Sequence, residues 1–395
     1  MNIFSKLKIF TFVSLAFAIP FSVALTNILI VLFSFFWIIE GGFKNKFNII
    51  ISHKWLISIF TLIILYFIGL LYGESHGDAQ YVLKRALLLL FFVPVIASNF
   101  SEDIYRKSIK FFLAANLFSA LAAIAINFSV IDSFFSTPSI SAFLKYNYHN
   151  ILLSFSSLLA FILFVRSKSR YAYTYLILIL IYTMSIFTEA GRAGQLTFNL
   201  FFFLFSIYYI KKNFKYSLSI ISFLFIVNYL SYSNSPIFKY RVDNLSHIVQ
   251  NDGKKKNVKA KEKEKDIRYL FTKSGLELAL KKPIFGYGTG SFSEVFKEYT
   301  NTTYDLNKHK TPHNNYLYVL LELGLIGLIT FLSIFYYQIK NLLLIGEKNF
   351  EILLLPIFIL VLMLFDSYMF IFTLTIFYIY MYKVLSNILI KSNYD

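Results

Sequence analysis

The sequence predicts an all-α, polytopic membrane protein, and three observations carry that prediction. Of its 395 residues, 57% are hydrophobic and 20% aromatic, more than a soluble domain usually holds. The apolar residues come in blocks close to the ~20 needed for a membrane-spanning helix, separated by short charged punctuation. No segments of alternating polar and apolar residues appear, as the strands of a membrane barrel would show.

Twelve blocks read as spans: 8–22, 24–39, 55–72, 82–98, 109–130, 149–165, 172–188, 196–210, 216–234, 314–336, 351–365 and 368–386. Pro20 and Pro356 mark bends or turns, so the pairs in 8–39 and 351–386 read equally as hairpins or broken helices. The first block has a basic start and imitates a signal peptide. A second apolar block follows at once, and the first is read as an uncleaved span. Cysteine is absent, which removes disulfides, thiolate metal sites and cysteine nucleophiles.

The net charge of +17 sorts by side. An even number of spans puts both termini on one face, with Lys6, Lys8, Lys44, Lys46, Lys54, Arg106, Lys107, Lys110, Arg166, Lys168, Arg170, Lys211, Lys212, Lys215, Lys340, Lys348, Lys383 and Lys391. The short loops of the other face hold only Lys145 and Arg192, with Lys84 and Arg85 heading a span. The first face is therefore cytoplasmic. One large loop, 235–313, falls on the opposite face and divides the chain into a bundle over 1–234, the loop, and closing helices over 314–395. Loops beyond ~60 residues escape the charge rule, so its own lysines do not argue against this placement. Its middle, NDGKKKNVKAKEKEKD, is a charged low-complexity excursion. From Ile267 to Leu280 apolar residues fall at helical spacing, which predicts an amphipathic helix along the membrane surface. Lys281-Lys282-Pro283 ends it, and Gly286, Gly288 and Gly290 make a flexible turn.

Three residues stand out for chemistry. Arg192, in TEAGRAGQ, lies at the external end of a span, where a charge usually has a task or a partner. It reads either as an interface arginine paired with Glu189 or as a ligand contact, with Gly191 and Gly194 admitting a ligand or another backbone closely. Arg268 opens the loop helix; its plain reading is a surface charge paired with Glu264 or Asp266. His313, in TPHNNYLYVLLELGLIG, stands where the loop enters the membrane. Thr311 or Asn314 can cap the helix, and Pro312 fits its first turn. An imidazole there suits acid–base work or phosphate binding, and a capping role is equally open. Gly324 and Gly327 suit close helix packing.

Other chemistries are missing their signatures. There is no P-loop, no G-x-S-x-G and no H-E-x-x-H. His309 and His313 are four apart, but no third ligand joins them, so no metal is expected. Nucleic acid is not expected as a partner of an outward-facing membrane enzyme. Two arginines with a histidine suit a diphosphate, since arginine contacts phosphate oxygens bidentately and keeps its charge. An external transfer has no nucleotide to draw on and needs a pre-activated donor.

Three blocks, TEAGRAGQL at 188–196, DIRYLFTKSGLELALKKPIFGYGTGSF at 266–292 and PHNNYLYVLLELGLIGLITF at 312–331, resemble the O-antigen ligase and polymerase superfamily of bacterial envelope enzymes. The third is the most specific, with a His-Asn pair, an acidic residue nine on from the histidine and G-x-x-G opening into a span. The resemblance implies a GT-C-like fold of about twelve spans with one large periplasmic loop. It implies catalytic roles for Arg192, Arg268 and His313, with Arg192, Arg268, Lys84, Arg85 and Asn314 contacting the diphosphate. The implied reaction moves undecaprenyl-diphosphate-linked glycan onto the lipid A core at the bacterial inner membrane, without metal or other cofactor. A polymerase would extend another lipid-linked glycan instead, and a third type of member glycosylates protein hydroxyls. A flippase would carry charges along a path through its spans, whereas here they gather at one face.

Overall fold

The computed structural model describes residues 3–136, 141–167, 172–235, 238–240, 242–243, 262–300, 310–345 and 350–388, and side chains for all of these except 262–268, 345, 350 and 352. The lysine-rich run 253–261 lies outside the described residues, within which there are helices and no strand. In chain order these are α1 (Ile3–Phe21), α2 (Val23–Ile39), α3 (Phe43–Ser52), α4 (Lys54–Tyr72), α5 (Ala79–Ala86), α6 (Phe92–Ile96), α7 (Glu102–Asn127), α8 (Tyr146–Arg166), α9 (Ala172–Thr188), α10 (Arg192–Lys212) and α11 (Phe214–Asn234). After the large loop's first half come α12 (Glu262–Lys281), α13 (Phe292–Thr300), α14 (Asn315–Ile345), α15 (Leu354–Leu362) and α16 (Phe372–Ile388).

Among the described residues, eight helices are long and apolar enough to cross a membrane, and nine when α2 and α3, bent by 119° at their break, count as one. The architecture is that of an all-helical polytopic membrane protein. Several predicted blocks take a less regular form. The block at 82–98 is α5 and α6 joined by a 3-10 turn, Leu87–Phe91. The block 351–365 is a 3-10 turn, Phe350–Leu353, followed by the nine-residue α15 with Pro356 in its first turn. Pro20 sits in the last turn of α1, where losing one backbone donor is tolerated before the chain turns into α2.

The chain forms two compact units. One takes residues 1–15, 27–106 and 258–392, the other 16–26 and 107–257. In the first, α14 packs along α4, and α12 lies on α14. Its core is aromatic: Trp55 meets Phe92 and Tyr382 edge-on at 5.0 and 5.3 Å, and Phe12 stands 4.7 Å from Tyr380. Such rings bury large areas with directional contacts. In the second unit α8 packs against α9 and α10, and α10 against α11. Phe161, Phe198, Phe202 and Phe205 line that packing.

The loop helix is longer than its apolar spacing predicts, running from Glu262 to Lys281. Phe271, Ser274, Leu278 and Ala279 form its buried stripe. Gly275 belongs to the same stripe, and a Cβ there would lie 2.8 Å from Leu317. Leu276 and Leu280 face outward, as do Ile284 and Phe285 beyond the helix.

Candidate functional site

The first unit builds the site around a break in α14. Gly324 has φ 63° and ψ −163°, which interrupts the helix. Backbone groups freed within an apolar helix need replacement partners, and the glycine turn supplies them. Leu325 N donates to Pro283 O at 2.8 Å and Ile326 N to Ile284 O at 3.3 Å, while Tyr287 N and Gly288 N donate to Leu321 O and Glu322 O at 2.8 and 2.9 Å. On its other side the turn reaches α4, where Thr289 N donates to Gly69 O at 3.1 Å and Thr289 Oγ1 to Tyr66 O at 2.6 Å. Gly286, Gly288 and Gly290 all take positive φ, at 69°, 89° and 86°. A Cβ on Gly288 would lie 2.2 Å from Gly73 Cα. The turn expected to be flexible is therefore a pinned plug. Gly324, expected to ease helix packing, is instead the point of the break.

Glu322, only 1% exposed, completes this arrangement. Its carboxyl accepts from Gly290 N and, at 3.1 Å, from Phe292 N. The second of these is the first residue of α13, whose amino-terminal N–H groups otherwise lack partners. Nearby, burial first and then the charge of Glu74 push the Tyr287 phenol up. It stays protonated and donates to Leu278 O at 3.1 Å.

His313 stands at the entrance of α14 with φ 54°, a left-handed conformation that histidine adopts more readily than most residues. Asn314 caps the helix, its Oδ1 accepting from Leu317 N at 3.0 Å, and Pro312 precedes the helix rather than occupying its first turn. Asn315 N donates to Met363 O, and Asn315 Oδ1 accepts from Met369 N, both at 3.0 Å. These bonds tie the segment between α15 and α16 to the start of α14 and bring Asp366 to the imidazole. His313 Nδ1 lies 3.0 Å from Asp366 Oδ1, which also accepts from Ser367 N at 2.7 Å. Phe271 of α12 packs against the ring at 5.9 Å. A carboxylate at Nδ1 selects the tautomer protonated there and leaves the lone pair on Nε2, the form a general base needs.

A cluster of charges adjoins this pair. Arg85 lies 3.8 Å over the Tyr81 ring and donates to Phe370 O at 2.6 Å. Lys310 stands 5.2 Å from the same ring and 2.8 Å from Asp78 Oδ1. Tyr81 feels Asp366 as well as Arg85, Lys310 and Asp78 electrostatically, so His313, Arg85 and Lys310 share one neighbourhood. Lys84 is exposed on α5. Arg268 falls in α12, with its side chain outside the described residues, as is all of His309. No group of three or more histidine or carboxylate side chains able to hold a metal occurs among the described residues.

Arg192 belongs to the second unit. It is exposed at the first position of α10. Glu189, its expected partner, is engaged elsewhere, with His149 Nδ1 3.1 Å away and Ser141 Oγ donating to its other oxygen. The two glycines flanking Arg192 admit a neighbouring helix. A Cβ on Gly191 or Gly194 would lie 2.4 or 2.5 Å from Asn150 of α8. Asn150 Nδ2 in turn donates to Ile186 O at 3.2 Å, and Gln195 Nε2 to Glu189 O at 2.9 Å.

Sequence reasoning missed Asp366, His149 and Lys310 as site-building residues. For the first two a signal existed, since a charge or an imidazole inside an apolar block requires a partner.

Comparison with known proteins follows the same stretch. The O-antigen ligase family model matches residues 155–332, which include Arg192, Arg268, His313 and Glu322. A "Putative polysaccharide ligase" of Rickettsia conorii is 41% identical over 78 residues, 18% of this chain and 19% of that protein. Proteins of the same description from Rickettsia felis and Rickettsia typhi are 41% and 40% identical over 76 residues, each 18% of both chains. The chain thus spans under a fifth of the length of these curated relatives. The resemblance read from the motifs stands: residues 155–332 of this chain match the O-antigen ligase family.

Proposed function

We propose that the chain is a glycosyltransferase of the bacterial inner membrane that ligates undecaprenyl-diphosphate-linked O-antigen glycan to the lipid A core on the periplasmic side. The observation that carries the reading is the His313–Asp366 pair at the mouth of α14, whose histidine lies inside the stretch that matches the family. The proposal includes the twelve-span topology, the periplasmic placement of 235–313 and the division into 1–234, 235–313 and 314–395.

In this reading the acceptor hydroxyl oxygen attacks the anomeric carbon of the donor sugar from the face opposite the diphosphate, so the configuration inverts. The new carbon–oxygen bond forms as the bond to the diphosphate oxygen breaks, and that oxygen keeps the electron pair. His313 Nε2 takes the hydroxyl proton, and undecaprenyl diphosphate leaves. Arg192 and Arg268 meet the charge on the departing diphosphate, aided by Lys84, Arg85 and Asn314. Removing one such charge-stabilising donor commonly costs ~3–4 kcal/mol of barrier. No metal is required, because fixed cations do the neutralising.

Gene deletion followed by analysis of envelope glycolipids tests the reading. Uncapped core with accumulated long lipid-linked glycan is the expected result. Core bearing a single repeat would identify a polymerase, which shares the donor chemistry, and an unchanged envelope would sink both. In the purified enzyme His313→Ala is expected to abolish transfer while the protein still inserts. Asp366→Asn should lower kcat by about 10²–10⁴-fold, by analogy with a misoriented catalytic imidazole. A His313→Ala variant with full turnover would refute the assignment.

A further inference from the structure

The cluster of Ser141, His149 and Glu189 in the second unit has no part in the chemistry above. His149 is 0% and Glu189 7% exposed. His149 Nδ1 lies 3.1 Å from both Glu189 Oε2 and Ser141 Oγ, and Ser141 Oγ donates to Glu189 Oε1. Among the described residues His149 Nε2 has no hydrogen-bond partner. A buried imidazole with one unsatisfied nitrogen lowers stability relative to an apolar side chain of similar shape. Its retention therefore calls for a geometric reason. The geometry offers one, because Glu189 lies in the turn that joins α9 to α10, three residues before Arg192.

Other side chains hold the same turn. Asn150 Nδ2 and Gln195 Nε2 both donate to Ile186 O, at 3.2 and 3.1 Å, and Gln195 Nε2 also donates to Glu189 O. These bonds hold the turn's carbonyls. Among the described residues, the clamp of His149 and Ser141 holds the Glu189 carboxyl, from α8 and from the segment preceding α8. The clamp fixes where α10 begins, and Arg192 is the first residue of α10.

We propose that His149 is a positioning residue: through Glu189 it presents the Arg192 guanidinium in one place for the anionic leaving group of the donor. The inference rests on the reading of Arg192 as a diphosphate contact. It adds that the contact depends on a buried side-chain clamp rather than on the helix end alone.

The 395-residue chain contains no cysteine, so Arg192→Cys gives it a single site for a nitroxide spin label. Adding His149→Ala is expected to speed the label's motion. Adding His149→Asn instead should restore the slow spectrum, because an asparagine amide can donate where Nδ1 does. The same two changes are then made with Arg192 intact and assayed with undecaprenyl-diphosphate-linked glycan as donor. His149→Ala should lower kcat/KM for the donor about 10- to 100-fold, the penalty of a contact misplaced by about an ångström. The acceptor KM should stay put, and His149→Asn should recover most of the loss. An unchanged label spectrum, or unchanged donor kcat/KM, in a folded His149→Ala protein overturns the inference. If that variant does not accumulate, Glu189→Gln is read the same two ways. Arg192→Ala reports separately: retained transfer would overturn the role of Arg192, while the label spectrum still judges the clamp.

Discussion

Glu322 and Glu189 are both carboxylates sealed among apolar helices, at 1% and 7% exposure, yet different kinds of donor hold them. Glu322 receives the backbone N–H groups of Gly290 and Phe292. Glu189 receives side chains, His149 and Ser141. Both carboxyl groups are satisfied, as buried polar groups usually are. A backbone donor is present whatever residue occupies the position, provided the chain can come close enough. The first arrangement therefore depends on glycine at the approach points and is indifferent to most other side chains. The second depends on the identities of two polar residues. Sensitivity to mutation should consequently fall on the glycines of 286–324 in one unit and on residues 141 and 149 in the other.

The hardest test of that contrast is Gly324→Ala. At φ 63° an alanine is strained, and its Cβ would lie 2.2 Å from Ile284 O, a backbone atom that cannot swing aside. Strain and overpacking together should cost about 2–6 kcal/mol. The expected result is loss of the folded protein in detergent or a large drop in its thermal midpoint. A wild-type melting curve would mean that the break is not a fixed feature and that the backbone-held arrangement is loose.

Next in size is the carboxylate itself. Glu322→Ala leaves two buried N–H groups without acceptors, at about 1–3 kcal/mol each. Glu322→Gln keeps one acceptor oxygen and should lose about half as much. If the two variants melt alike, the bonds to Gly290 and Phe292 contribute nothing, and the comparison with Glu189 fails at its first term.

These features also show what could be read before the structure was known. The apolar blocks read directly as helices, because spans need length and little else. Asn314 was legible as one of two candidate caps, with Thr311, from its place before a helical run, and it is the one that caps. The break at Gly324 was not, since G-x-x-G looks the same whether it admits a neighbouring helix or interrupts its own. What distinguishes the cases is a set of bonds to the carbonyls of Pro283 and Ile284, distant in sequence. Backbone donors such as Gly290 N carry no residue signature at all. His313 and Asp366 are 53 positions apart, and His149 and Glu189 are 40 apart. Each acid could be flagged as needing a partner, but the choice of partner is a tertiary fact. Glu189 illustrates this: Arg192 is nearer in sequence and more obviously cationic, yet it faces outward and an imidazole on another helix takes the carboxylate.

The gentlest test concerns the side-chain arrangement. Ser141→Ala removes one of the two described donors to the Glu189 carboxyl and leaves His149 Nδ1 in place. The loss should be about 0.5–1.5 kcal/mol, one neutral hydrogen bond to a group that keeps another partner. A small fall in thermal midpoint is expected, well below that of Glu322→Ala. Ser141 is only half-buried, so water can enter the vacated position, which limits the loss further. That is the essential difference from Glu322, whose partners are sealed in and cannot be replaced by solvent. If Ser141→Ala proved as damaging as Glu322→Ala, solvent could not be substituting for the hydroxyl. The two carboxylates would then be equally closed to water, and the kind of donor alone would not explain their different tolerance.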